Sequence, residues 1–245
     1  MNFPFPSTST QGSDSATTAA LKLEHVTRTH QDGPTTVTAL NDVSLVLEPG
    51  ELVAVMGPSG SGKSTLLNIA GTLDSATSGR VVINGIDVSN LSPAASAEVR
   101  RSHVGFVFQD FNLVPTLTAA ENIALPLELG KVSRARARDR ALEVLATLGL
   151  THLADRFPAE ISGGQSQRVA IGRALIGERH LLLADEPTGA LDTVTGEAVM
   201  NLLREQIDAG RAGLLVTHEP RFAAWADRTI YLRDGNLIGD EELFR

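Results

Sequence analysis

The sequence predicts an α/β fold: a mostly parallel central sheet, an antiparallel β subdomain near the N-terminus and an inserted helical subdomain. Short apolar runs bounded by turns predict the sheet, because parallel strands covered by helices on both faces lose the polar alternation of half-exposed ones. An alternating stretch ending in an Asn-Gly turn predicts the antiparallel part. A long segment of helical period between two of the apolar runs predicts the insertion.

From the N-terminus, residues 1–20 are rich in Ser and Thr, with Pro4, Pro6 and Gly12 among them, and are expected to be a flexible tail ahead of one domain spanning residues 21–245. Leu21 to Val26 and Val43 to Leu47 alternate like half-buried strands. Glu51 to Met56 is the first buried run, and Ser64 to Ala70 is the helix after it. Arg80 to Ile83 followed by Asn84-Gly85 reads as a hairpin, and Gly105 to Phe108 as the second buried strand. Ala141, Leu142, Leu145 and Leu148 share one face of a helix that ends near Gly149, so the segment from about 98 to 162 is expected to be mostly helical. A further helix runs from Ser162 through Leu175, Leu181 to Ala184 and Leu214 to Thr217 complete the buried runs, and a last strand lies near Thr229 to Leu232.

Composition narrows the function. The 245 residues, 42% apolar and 20% charged, suit one large globular domain or two small ones. The difference between 21 basic and 29 acidic residues is −8, spread without blocks, which repels phosphate backbones; no nucleic-acid partner is expected. With no cysteine, disulfides, Cys-ligated zinc and thiol catalysis are excluded. The N-terminus has no charged and apolar leader pattern, and no uncharged apolar run nears the roughly 18 residues of a membrane span. The chain is therefore expected to be neither secreted by that route nor membrane-spanning.

Gly57-Pro58-Ser59-Gly60-Ser61-Gly62-Lys63-Ser64 fits GxxxxGK[ST] between a strand and a helix, with Thr65 following. Glycines let backbone N–H groups wrap an anion, and the helix N-terminus adds the positive end of its dipole. Lys63 is placed to bring a point charge to β- and γ-phosphates and Ser64 to coordinate Mg²⁺. Asp185 and Glu186 end an apolar strand: beside a phosphate loop, Asp185 suits Mg²⁺ and Glu186 suits a general base for attacking water. Gln109 and His218 also end buried runs, where ligands of open α/β sheets collect, Gln109 within reach of metal or water and His218 of the γ-phosphate. Ser162-Gly163-Gly164-Gln165 opens a helix with a capping serine and bare backbone; it is either an ordinary cap or a second anion-binding terminus.

Together GPSGSGKST, Gln109, ISGGQ, LLLADEP, Ala190-Leu191-Asp192 and His218 resemble, in order and spacing, the ATP-binding cassette (ABC) ATPases, over about Leu21 to Arg245. ENIALPLEL and the string from Gln165 to Leu175 look like the macrolide-export and lipoprotein-release branch. The resemblance implies a P-loop NTPase fold and a head-to-tail dimer of two copies enclosing two Mg²⁺-ATP. It implies that Gly57 to Thr65 is the phosphate loop, Gln109 the Q-loop residue, Ser162 to Gln165 the signature, and Asp185 and Glu186 the metal and catalytic carboxylates. His218 becomes the switch histidine, with Asp192 counted among the nucleotide-binding residues. Ser162 and Gly164 of one copy would then face the γ-phosphate held by Lys63 of the other, which explains two anion termini in one chain.

His30 stands about where the family usually stacks an aromatic residue on adenine, and Ile161 replaces the usual Leu of the signature; with Ser162, Gly163 and Gly164 intact, hydrolysis is expected. Asp110 to Pro115 corresponds to the region that cups a coupling helix of a membrane permease, although Phe111 and Leu113 also fit plain core positions. Arg134, Arg136, Arg138 and Arg140 fit a solvated helix face or a contact with acidic lipid. The implied function is an ATP-hydrolysing subunit on the cytoplasmic face of the inner or plasma membrane, bound to a separate permease that exports or transmits force. The alternatives are regulation of a cell-wall enzyme across the membrane and a soluble ABC ATPase acting on DNA or ribosomes. The latter tend to carry coiled-coil insertions or two cassettes, and no internal repeat or long heptad segment is present here.

Overall fold

A computed structural model describes residues 18–238. In chain order its strands are β1 (Leu21–Asp32), β2 (Thr35–Leu47), β3 (Leu52–Met56), β4 (Ser78–Ile83), β5 (Ile86–Asp87), β6 (Val104–Val107), β7 (Leu181–Asp185), β8 (Ala212–Val216), β9 (Arg228–Arg233) and β10 (Asn236–Ile238). The helices are α1 (Lys63–Ala70), α2 (Pro93–His103), α3 (Ala119–Leu129), α4 (Arg134–Thr147), α5 (Gly163–Leu175), α6 (Thr193–Asp208) and the short α7 (Pro220–Ala223). Two sheets result: a four-stranded antiparallel one ordered β2-β1-β4-β5, and a six-stranded one ordered β10-β9-β3-β8-β7-β6, parallel from β9 to β6 with β10 antiparallel at its edge. This is the α/β architecture the apolar runs predict.

Residues 1–17 of the expected tail lie outside the described residues, and packing begins before residue 21. Ala20 is 1% exposed, its N–H donates to Leu47 O, and its carbonyl accepts from Asn84 N–H. The first hairpin is longer than its alternating segments, because register shifts between Leu23 and Thr29 break the two-residue period. His25 (φ 52°) and Asp42 (φ 53°) sit at the irregularity, and beyond it the strands run on through exposed Thr-rich sequence. Within the segment expected to be mostly helical, β6 follows directly on α2 and joins the central sheet.

Three apolar clusters hold the layers together. One lies between the antiparallel sheet, α1 and the central sheet, around Leu21, Leu66, Leu67, Val53 and Leu183. A second covers the other face of the central sheet with α5 and α6, around Ile171, Val199, Met200 and Leu215. The third joins α3, α4 and α5 around Ile123, Leu145 and Val169. α5 contributes to both the second and the third, so it is the element through which the helical region is fixed to the sheet. Each fully buried Leu or Ile side chain contributes about 1.5–3 kcal/mol.

Candidate nucleotide site

β3 is buried over four residues and delivers the chain to the loop from Gly57 to Gly62. Two of its glycines are demanded by packing as much as by any ligand. A Cβ at Gly57 (φ 150°) would fall 2.1 Å from Leu232 O, and one at Gly62 (φ 106°) 2.2 Å from Ala39 O, so the loop is wedged between β9 and β2. Between them Pro58, Ser59 and Gly60 are exposed, and nothing lies within 4 Å of a Cβ built at Gly60. Gly62 brings no side chain to cap α1, which leaves the helix's first N–H groups for an anion. Lys63 Nζ reaches back over the loop, donating to Gly57 O and Pro58 O at 2.8 Å each. Ser61 is 2% exposed and its Oγ has no partner among the described residues. Ser64 is exposed on the first turn of α1 and Thr65 half-buried.

β7 brings the carboxylates to the same edge. Burial pushes the Asp185 carboxyl up from its ordinary pKa, the Ser64 hydroxyl pulls it down, Glu186 pushes it up and Lys63 pulls it down. A carboxylate penalised by burial and facing a serine hydroxyl fits a hard cation with oxygen ligands; Ser64 and Asp185 suit Mg²⁺. Among the described residues no group of three His, Cys, Asp or Glu side chains could hold a metal ion, so such an ion would draw further ligands from outside that set, phosphate and water among them.

Glu186 has a left-handed backbone (φ 46°), held by its N–H on Val216 O at 2.9 Å. Its Oε1 lies 2.8 Å from His218 Nδ1, while Oε2 is buried without a partner among the described residues. Hydrogen bonding to Glu186 and its charge raise the His218 pKa above 6.5. The imidazole remains open to incoming groups, 67% exposed against 15% for the carboxylate. Gln109, exposed after β6, lays its amide over the turn that follows: its Nε2 would be 3.3 Å from a Cβ at Gly189, whose N–H donates to Glu186 O.

The remaining expected residues gather elsewhere. Ser162 Oγ accepts from Gln165 N–H and Gln165 Oε1 from Ser162 N–H, a closed capping box at the start of α5. Asp192 caps α6, taking the Thr195 N–H at 3.0 Å and its hydroxyl at 2.6 Å, contacts that lower its pKa. A Cβ at Gly164 would be 2.5 Å from Thr195 Cγ2, so the two helix termini lie side by side, with Gly163 exposed. Among the described residues, the hydrogen bonds of Ser162 to Gln165 and of Asp192 stay within the helices that carry them. His30 is exposed on the β1–β2 hairpin opposite Val37. One chain thus gathers Lys63, Ser64, Asp185, Glu186 and His218 at one sheet edge and places Ser162 to Gln165 and Asp192 at the starts of α5 and α6.

Two residues of this region escape a motif-based reading. Gln167 is 0% exposed on α5 and donates to the carbonyl of Pro187, next to Glu186. Its place on the face shared by Ala170, Ile171 and Ala174 is a signal the helical period carries. Arg173 bonds to carbonyls 61 and 62 residues away in sequence, a pairing no local pattern reveals.

Comparison with known proteins places this geometry. The family model described as ABC transporter matches residues 40–189, from within β2 through the Asp185–Glu186 strand. The chain belongs to the ABC transporter family. Over 221 residues it is 48% identical to the macrolide export ATP-binding/permease protein MacB of Salmonella choleraesuis, covering 90% of this chain and 34% of MacB. It thus spans about a third of the MacB relatives it matches. It is 45% identical to YvrO of Bacillus subtilis, named as an uncharacterized ABC transporter ATP-binding protein, over 90% of this chain and 96% of YvrO. Among solved structures, a dimeric post-hydrolysis state of the cassette MJ0796 bound to ADP and Pi superposes with a TM-score of 0.83, at 46% identity, over 89% of this chain and 97% of that one. As an ABC transporter ATPase the chain binds and hydrolyses ATP.

Proposed function

We propose that this ABC ATPase works as two copies closed head to tail around two Mg²⁺-ATP, and that closure and hydrolysis drive export or mechanical work by a membrane permease on a separate chain. The observation that carries the reading is the meeting of Lys63, Ser64, Asp185 and the Glu186–His218 pair at one sheet edge. Lys63 and the N-terminus of α1 would hold β- and γ-phosphates, with Gly57 to Thr65 shaping the cradle. Ser64, Asp185 and Gln109 would hold Mg²⁺, which when bound offsets the charge on the phosphoryl oxygens. Glu186 takes a proton from attacking water, oriented by His218. The second group, Ser162 to Gln165 with Asp192, has no phosphate loop beside it in its own copy, and in the dimer it faces the nucleotide of the other. His30 is the candidate to stack on adenine.

The MacB name and the dimeric MJ0796 cassette support export and pairing, and the cytoplasmic face of the inner or plasma membrane is the place this function implies. Glu186→Gln tests the chemistry: turnover should fall about a hundredfold or more while ATP binding persists and ATP drives a monomer-to-dimer shift in size-exclusion chromatography. Wild-type turnover in that variant would sink the assignment. ATP-dependent movement of a macrolide into vesicles carrying the permease tests the transport step.

A further inference from the structure

β6 delivers Gln109, and arginines tie the chain to α5 on both sides of that strand. Before β6, the Arg101 carbonyl accepts from Arg179 Nε at 3.0 Å, and Arg179 also donates to the Arg173 carbonyl at 2.6 Å, close to the end of α5. After it, the Arg173 guanidinium spans two successive carbonyls, Phe111 O at 2.7 Å from Nη2 and Asn112 O from Nη1. Both residues are left-handed, with φ 57° and 48°, a conformation that side chains with a Cβ resist, and it turns their oxygens onto the one guanidinium. Among the described residues the Arg173 guanidinium bonds to these carbonyls and to no carboxylate, so they are the polar partners of a partly buried cation. Phe111 also reaches the other end of the helix: a Cβ at Gly163 would lie 3.8 Å from its Cζ. The loop after Gln109 therefore packs against α5, its carbonyls held by the side chain of Arg173 and its Phe111 ring beside Gly163 at the helix start.

We infer that Arg173 is a positioning residue for Gln109, fixing the 108–112 turn to α5 and so setting the Gln109 amide by the helix whose N-terminus serves the other ATP. This rests on the function proposed above. Arg173 touches neither nucleotide nor metal in that arrangement; it acts through the turn.

Two variants of the full chain test it. Arg173→Met removes the fork at similar length, and Arg173→Lys keeps the charge with a single point of donation. Amide hydrogen exchange in the nucleotide-free protein should be faster across residues 108–112 in Arg173→Met and intermediate in Arg173→Lys, with the phosphate-loop peptide unchanged. In steady-state assays Arg173→Met should lower kcat by about ten- to a hundredfold, with KM for ATP held within about twofold. Adding Gln109→Ala to Arg173→Met should cost little more than Gln109→Ala alone, since both act through one amide. Unchanged exchange at 108–112, a wild-type Arg173→Lys, or fully additive effects would each overturn the inference. Should Arg173→Met not fold, Arg173→Lys decides by the same exchange and kcat readings. Wild-type turnover in Glu186→Gln would instead overturn the underlying site, so the two failures are distinct.

Discussion

The Glu186–His218 pair puts a charge-sensitive contact beside the phosphate loop. The carboxylate raises the imidazole pKa chiefly by hydrogen bonding and then by its charge, Glu219 adds to the rise, and burial and Lys63 oppose it. A raised histidine pKa means that the contact stabilises the fold fully below the unfolded value near 6.5, and that this contribution is lost as pH rises through the higher folded value. Proton NMR of His218 should therefore show a pKa above 6.5 that falls in Glu186→Gln, where the charge is gone but the shape is kept. An identical titration in both proteins would contradict the pairing. On the proposed function the same variant separates two tasks, because losing the base would stop proton removal while Lys63 and the α1 terminus would still hold phosphate. At this scale Lys63, Asp185 and Glu186 were legible because each lies inside a local pattern, a glycine loop or an apolar run ending in acid. Gln167 and Arg173 were not, because what gives them meaning is a carbonyl on a distant loop.

Among elements, β6 and α5 approach each other closely near the site. A Cβ at Gly105 would sit 2.3 Å from the Ala174 carbonyl and 2.9 Å from Leu182 Cδ2, and the former is backbone that cannot swing aside. Gly105→Ala should therefore destabilise the protein by about 1–3 kcal/mol in urea unfolding, and lower ATPase turnover of the folded fraction by shifting the strand that carries Gln109. A variant as stable as the parent would mean that the strand and helix are free to separate. At the start of α6, Asp192→Ala removes acceptors for both Thr195 groups and should cost about 1 kcal/mol in the same assay. The buried strands could be read from sequence because an apolar run has one outcome between helical layers. The extent of the β1–β2 hairpin could not, since the shifts at His25 and Asp42 reset which residues face the core. β6 could be read inside the helical segment, expected at Gly105 to Phe108 and found one residue earlier at Val104–Val107, where α2 passes into it without a turn.

For the whole molecule, the decisive feature is that one chain carries two unlike helix termini, at the starts of α1 and α5, each bonded within its own neighbourhood. If every ATP lies between copies, defects on opposite sides of the site must complement. Lys63→Ala leaves a chain that cannot hold its own nucleotide but keeps an intact Ser162 terminus. Ser162→Glu keeps the phosphate loop but presents a negative charge to the γ-phosphate of the other copy. Each homodimer is then inactive at both sites. Mixed one to one, random pairing makes half of the dimers heterodimers, each with one sound site, so turnover should return to about a quarter of wild type per chain under independent sites. The recovery should follow second-order dimerisation on dilution. If each ATP were completed within its own copy, neither variant could lend the other anything, and the mixture would stay as inactive as its parts. Adding the permease to such a mixture extends the test: transport that returns in proportion to ATPase activity means that one sound site per dimer suffices to move the partner, whereas ATPase recovery without transport means that both must close together.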